Sequence, residues 1–599
     1  MTKTIRIGGA SGFWGDSTIA TPQLLEGGRL DYLVFDYLAE ITMSILARAR
    51  AGDPSLGYAT DFVTVTMKQH LGQIARQGVK VISNAGGVNP LACARALEAL
   101  IAQQGLSLKV AVVTGDDLLE RVPEIEGRGI TEMFSGTGFP KGLLSANAYL
   151  GGFPIAKALD EGADIVITGR GVDSAVTLGA CIHAFGWTDD ALDRLAGASL
   201  AGHIIECGAQ ATGGTFTDWH MVEGWANIGY PIAEVSEDGS FTVSKAPGTG
   251  GVVLPATVGE QMLYEIGDPQ AYVLPDVVCD FSQVKITQAG PDLVSVSNAR
   301  GSAPTDTYKV SATYQDGHRL GLYLTIGGID ADLKAEKMAS EVLKRCREML
   351  RARNQPDFTE TSVEVLGAEA SYGPNRRVQR PREVVLKIAA KHEDPKALAS
   401  LLREATSTGT SMSPGTTGMG GNRPKPMPIV RLFSFLFPKA DLVQRVHIGD
   451  ATWEVPARIG KPLDRASLAR PAVADAKGSE PSVNVPLVAL AWGRSGDKGN
   501  HANVGLMARK AEYLPHIRAA VTAEAVAHHY RHILEGKVER FDLPGIHGLN
   551  FLLQDVLGGG GTASLRNDPQ GKAYAQMLLD FPVPVPKALA ERDGLNAAA

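Results

Sequence analysis

Cysteine is scarce in this sequence. Its 599 residues hold five, Cys93, Cys181, Cys207, Cys279 and Cys346, widely spread and never arranged as a CxxC pair. That scatter excludes a disulfide framework and a zinc knuckle. Basic clusters are missing as well. The net charge is −7, the sequence pI is near 6.0, and no Lys/Arg-rich arm occurs, so nucleic acid is not an expected partner. No apolar run approaches the roughly 20 residues that span a bilayer. The opening MTKTIRIGGASG lacks the charged-then-apolar layout of a signal peptide. These absences predict a cytoplasmic protein with no membrane partner. GxGxxG is absent, which makes a dinucleotide enzyme the weakest reading, and no motif speaks for a metal or a tightly bound cofactor.

The rest of the composition is that of an ordinary globular chain, 44% apolar, 21% charged and 6% aromatic. Its length exceeds one core and predicts several domains. In residues 1–300, the runs TIRIGGASG, YLVFDYLAE, VKVISNAGG, LKVAVVTGDD and ADIVITGRG are each apolar and each end in polar or glycine residues. Helical stretches lie between them. This alternation predicts an α/β region with a mostly parallel, Rossmann-like sheet, a TIM-like barrel being the alternative, and ligands beyond the carboxyl ends of its strands. Residues 301–455 read βαββαβ, the ferredoxin-like order, with 407–426 as a long Gly/Ser/Thr-rich loop before the last strand. Residues 456–484 read as a linker, and 485–599 as a second small α+β domain with a helix over TAEAVAHHYRHILEG. Two such modules also hint at a homo-oligomer formed by sheet-edge pairing.

The candidate site residues sit at the strand ends. GGASGFWGD carries Gly12 and Gly15, which suit either a tight turn or close approach of a CoA or nucleotide phosphate. In SNAGGVNP, Asn84 ends a strand, Gly86 and Gly87 permit positive φ, and Asn89 is placed to cap a helix opening at Pro90. The amides there suit an anion or a thioester carbonyl, or simply a capped turn. Asp36 and Glu40, four apart after the second strand, share a face if a helix starts there, and would raise each other's pKa in a dry cleft or sit solvated in a first turn. Arg170 and Asp173, in TGRGVDSA, are suited to a phosphate or carboxylate clamp or to an internal ion pair.

HIIECGAQATGG, His203–Gly214, reads as a strand end. Extended backbone would put His203 and Cys207 on one face but too far apart for a nucleophile–base pair. Glu206 is then the better acid/base candidate, with Cys207 a nucleophile or a small buried hydrophobe. The loop GRSGDKGNHAN offers Arg494 and Lys498 to an anion, or holds itself together by its own Asp–Lys pairs. His528, His529 and His532 read as surface histidines of one helix.

Taken in order, IGGASGFWGDS, SNAGGVNP, ADIVITGRGVDSA, HIIECGAQATGG and RSGDKGN make a chain that resembles the acyclic terpene utilisation A (AtuA) family. The resemblance covers nearly the whole sequence and implies a C-terminal ferredoxin-fold domain. It also implies a role in catabolism of branched acyclic terpenes through CoA thioesters, beside acyl-CoA carboxylases and enoyl-CoA hydratases. The expectation is therefore an enzyme of hydratase or lyase type acting on branched acyl-CoA as substrate, with a carboxylate among Asp36, Asp173 and Glu206 moving the proton. A noncatalytic acyl-CoA-binding or docking partner of a carboxylase or hydratase is the rival.

Overall fold

A computed structural model describes residues 3–419, 423–472 and 481–595. The five predicted strands form as β1 (Thr4–Gly9), β2 (Tyr32–Phe35), β3 (Lys80–Ser83), β4 (Val110–Thr114) and β6 (Ile165–Thr168), with β5 (Leu143–Ala148) belonging elsewhere. They lie parallel in the order β1, β2, β3, β6, β4. All four residues of β2 and of β6 are buried, because alternate side chains feed cores on the two faces. Tyr32 and Val34 enter one core, Leu33 and Phe35 the other. Each such large apolar side chain contributes about 1.5–3 kcal/mol.

Antiparallel strands extend the sheet at both edges to 11. Pro231–Ser236 pairs with β1, and Gln444–Ile448 pairs with β4. The sheet stays open, and no closed barrel occurs among the described residues.

The βαββαβ order is present from Thr307 to Pro438. Its spine is the strand Thr307–Gly327, which pairs antiparallel with Glu383–His392 and with Met427–Pro438. β5 joins this second sheet through Val310↔Ala148 to Tyr314↔Leu143, so hydrogen bonding crosses residue 300. The expected 407–426 loop is shorter than its composition suggests. The helix Pro395–Ser411 absorbs its start, Thr416–Met419 pairs with the spine, and residues 420–422 lie outside the described residues.

The C-terminal domain is a sheet in the order Ala491–Lys498, His501–Ala508, Gly548–Leu553, Val538–Leu543, all antiparallel. The helix expected over TAEAVAHHYRHILEG spans only Ala523–His529, so His532 lies beyond it. His529 is buried rather than on the surface, and burial pushes its pKa down to about 4. Part of the expected linker is structured too. Arg470 donates two hydrogen bonds to Asp268, at 2.8 and 2.7 Å, while residues 473–480 lie outside the described residues.

Two local readings are corrected. HIIE is not a strand: His203–Ile205 end the helix Leu192–Ile205, which is buried on all sides from Leu195 onward. Asp36 and Glu40 do not share a helix face, because the helix Glu40–Gly52 begins at Glu40 itself. No described helix is long and apolar enough to cross a membrane.

Candidate functional site

A cavity of about 590 Å³ opens beyond the carboxyl ends of the parallel strands. Four separate parts of the chain wall it: Tyr149, Val172 and Asp173 from the α/β region, Tyr272–Pro275 after it, Thr305–Lys309 and Leu436 from the βαββαβ module, and Pro462, Leu463 and Arg465 from the connector. Lys498 of the C-terminal domain completes the wall.

Arg170 is the hub. It follows β6 and is 3% exposed. Its guanidinium donates to Asp173 Oδ1 at 2.7 Å and to the Leu38 carbonyl at 2.8 Å, and lies 4.3 Å from the Tyr149 ring centroid. Its backbone N–H donates to Asp116 Oδ2 at 2.9 Å. Burial pushes the Asp116 carboxyl up to about 6. The Tyr149 hydroxyl donates to Glu40 Oε1 at 2.7 Å, and Lys309 Nζ lies 3.9 Å from the same oxygen. Burial opposes ionisation of Glu40, but Lys309, Arg170 and Tyr149 outweigh it and hold this carboxyl down at about 2. Glu40 is thus fixed as an anion, a structural counter-ion rather than a proton carrier.

Asp36 and Glu206 have the opposite character. Asp36 is buried and accepts from Asn84 Nδ2 at 2.5 Å and from the Leu38 N–H at 3.2 Å. Burial, then the nearby Asp173 and Glu206 charges, raise it well above the usual carboxylate range. Burial likewise raises Glu206 to about 7, against the opposing pull of His203. His203 Nδ1 lies 3.0 Å from Glu206 Oε1, a helical i,i+3 contact off the angle of a hydrogen bond. Burial lowers the His203 pKa, but Glu206 outweighs this and the net shift is upward. Such a pair titrates as a unit and is suited to giving and taking protons near neutrality.

Cys207 follows directly. Burial and Glu206 drive its thiol pKa up, the reverse of what a thiolate nucleophile requires. The nucleophilic reading of Cys207 therefore finds no support in its surroundings.

The glycine motifs do other work. Gly12 N–H donates to Asp16 Oδ2 at 2.8 Å, so the chain's own carboxylate takes the place expected for a phosphate. A Cβ on Gly12 would meet the backbone of Cys207 and Gly208, so this glycine permits loop-to-loop packing. Gly15 has φ of +98° and open space around it. Gly86 lies against the Thr168 carbonyl and Pro90, and Gly87 against Leu46 and the Gly57 carbonyl, away from the cavity wall. Pro90 opens its helix as expected, but Asn89 does not cap it; its amide donates to the carbonyls of Pro54 and Leu56 instead.

From the C-terminal loop, Arg494 is not part of the cavity wall. It donates to the Thr215 carbonyl at 3.0 Å and to Gln210 Oε1 at 2.6 Å, tying the two domains together. Lys498 instead lines the cavity, its Nζ 5.5 Å from the Tyr272 ring centroid, and has no carboxylate within ion-pair distance among the described residues. Beside it, Lys572 donates to Asp497 Oδ1 at 2.8 Å, Glu265 Oε1 at 2.9 Å and the Tyr264 hydroxyl.

Asp36, Asn84, Arg170, Asp173, Glu206 and Lys498 are thus brought into one neighbourhood, while Gly86, Gly87 and Arg494 are not. Tyr149, Tyr272, Lys309, Glu265 and Lys572 escape sequence reading. Each lies in an ordinary local context, and only the fold gathers them. Among the described residues, no group of three or more His, Cys, Asp or Glu side chains could hold a metal ion.

Comparison with known proteins agrees with this architecture. The family described as acyclic terpene utilisation family protein AtuA matches residues 5–448, and the AtuA ferredoxin-like domain matches residues 485–584. No curated protein matches the chain, and no solved structure does.

Proposed function

Because the chain belongs to the AtuA family, we propose that it is an enzyme acting on branched acyl-CoA thioesters, by hydration, dehydration or lyase-type C–C cleavage. One observation carries the reading. Three carboxyl groups, Asp36, Asp173 and Glu206, lie within electrostatic reach of one another beside a largely apolar cavity, two of them with raised pKa. Acyl-CoA lyase chemistry needs that combination. An apolar wall of Val172, Tyr272, Leu274 and Leu436 receives the branched chain. A carboxyl poised near neutrality exchanges a proton at the α-carbon or at the departing oxygen. Negative charge developing on the thioester oxygen is met by Lys498, which makes no ion pair among the described residues, a role the glycine-loop amides do not fill. Lys309 and Arg465 at the wall suit the phosphates of CoA. The same reading takes the protein to be a cytoplasmic homo-oligomer and leaves no bound cofactor to be supplied.

The test is mass spectrometry of reactions run in heavy water with unsaturated, 3-hydroxy-3-methyl and glutaconyl-type branched acyl-CoAs. A mass gain of water, loss of an acetyl unit, or deuterium at the α-carbon is the expected result. Tight binding of those thioesters with no turnover of any would replace the enzyme by a noncatalytic binding or docking partner of a carboxylase or hydratase.

A further inference from the structure

A second cavity, of about 210 Å³, lies at the ends of β1 and β2 and uses none of the groups assigned to the acyl-CoA reaction. Its walls come from the glycine loop that the sequence suggested for phosphate, from Phe35 and Tyr37, and from the segment Phe62–Met67, which is wound as a π-helix. π-Helical turns are uncommon and concentrate at functional sites.

The charge of this cavity is the reverse of what a phosphate needs. Asp16 and Asp61 both line it, and neither has an ion-pair partner among the described residues. They are held by neutral donors only: Asp16 by the Tyr230 hydroxyl at 2.7 Å and the N–H groups of Gly12 and Ser17 at 2.8 and 2.7 Å, Asp61 by Trp14 Nε1 at 2.5 Å. His70 also lines the cavity, but burial lowers its pKa, so it does not supply the missing positive charge. A separate observation points to an occupant. The Thr21 side chain is 4% exposed, lines the same cavity, and its hydroxyl makes no hydrogen bond within the described residues. That hydroxyl is therefore free to pair with an occupant of the cavity.

We propose that this cavity is a binding site for a small aliphatic amine, bound as its ammonium ion. The N–H groups are received by Asp61, Asp16 and the Thr21 hydroxyl, with Phe35 and Tyr37 beside the aliphatic part of the ligand. The volume is several times that of one water, too large for a bare metal ion held by two carboxylates. The site is independent of the acyl-CoA reading, although Ser11, on its wall, donates its hydroxyl to the Asp36 carbonyl at 3.0 Å and so touches the backbone of the larger site.

Isothermal titration calorimetry of the full chain with n-butylamine, 1,4-diaminobutane and ethanolamine, at matched ionic strength, tests this. Saturable binding of at least one amine is expected, about tenfold weaker in Asp61→Asn and several-fold weaker in Thr21→Val, as expected for hydrogen bonds to a charged group, and unchanged in Lys498→Met. n-Butanol, the neutral counterpart, should not bind. Should Asp61→Asn fail to fold, the Thr21→Val variant and the amine-against-alcohol comparison on the unaltered chain still decide. Absence of saturable amine binding overturns the proposal, as does equal binding of n-butanol, displacement by magnesium or potassium chloride, or binding of inorganic phosphate at this loop.

Discussion

The βαββαβ module and the C-terminal domain each bring one lysine to the large cavity, but they are attached to the α/β region by different bonds. The first is fused through backbone: β5 runs as a ladder along the strand Thr307–Gly327 from Val310 to Tyr314. The C-terminal domain forms no such ladder with the rest of the described chain and is held largely by side chains reaching across. Asn550 and Asn503, both fully buried, donate to the carbonyls of Ile266, Gly267 and Leu263, and Arg509 clamps Asp218 at 2.7 and 2.6 Å. A backbone ladder survives most point substitutions, whereas a side-chain strut does not. The contribution of the C-terminal domain to the site is therefore the one that single changes can remove.

The largest effect is expected at the strut. Asn550→Leu keeps the branched outline of the side chain but leaves two carbonyls and the Asn503 amide short of a partner. With buried unsatisfied groups costing about 1–3 kcal/mol each, a loss of roughly 3–5 kcal/mol should appear in urea unfolding. A loss below about 1 kcal/mol would show that the asparagine pair does not dock the domain.

Glu206→Gln should lower acyl-CoA turnover by about 10²–10⁴-fold, the usual contribution of a positioned acid/base. It should also change how stability depends on pH. The folded Glu206 carboxyl sits near 7 against an ordinary 4.5. Between those values the folded state binds more protons than the unfolded state, so stability is full below the lower value and is lost as pH rises through about 7. His203, also shifted upward, acts in the same direction. Urea unfolding of the unaltered chain should therefore show stability falling between about pH 5 and pH 8, by on the order of 3 kcal/mol from this group. The Glu206→Gln variant should lose this group's share of that slope and keep the part due to Asp36, Asp116, Glu260 and Asp497, which burial also shifts upward; an identical slope would sink the assignment.

The two lysines sharpen the comparison further. Lys498→Met should raise KM or lower kcat/KM for acyl-CoA by about tenfold, with little effect on melting, since the ammonium makes no ion pair among the described residues. Lys309→Met should do least. Its contact with Glu40 is long, and Arg170 and the Tyr149 hydroxyl still hold that carboxylate when Lys309 is gone. If Lys309→Met proves the more damaging to turnover, the anion is held from the βαββαβ side.

Much of this site is visible in the chain as polar residues closing apolar runs. Asp36 after YLVF, Asn84 after KVIS, and Arg170 with Asp173 after IVIT all stand out that way, because a strand buried on both faces is a continuous apolar run with an abrupt end. Glu206 stands out for the wrong reason. The helix before it, LDRLAGASLAGHII, is buried on nearly every side, so it has no polar face and shows no helical period in its sequence. Reading it as a strand hides the His203–Glu206 pair, which i,i+3 spacing on a helix brings together and a strand would separate. The phosphate reading of the glycine loop fails because spacing shows where backbone can approach closely, not which charge will fill the space; Asp16, four residues on, fills it.

By itself, the sequence determined the parallel α/β core, the βαββαβ order after it, the separate C-terminal domain and the family, because these follow from local periodicity and from motifs kept in order along the chain. Only the tertiary structure decided that Glu40, Tyr149, Lys309 and Lys498 gather around Arg170, Asp36 and Glu206, and which carboxyls there stay charged. Proximity between residues hundreds of positions apart, and the burial that shifts a carboxyl toward neutrality, are properties of packing and leave no periodic trace in the chain.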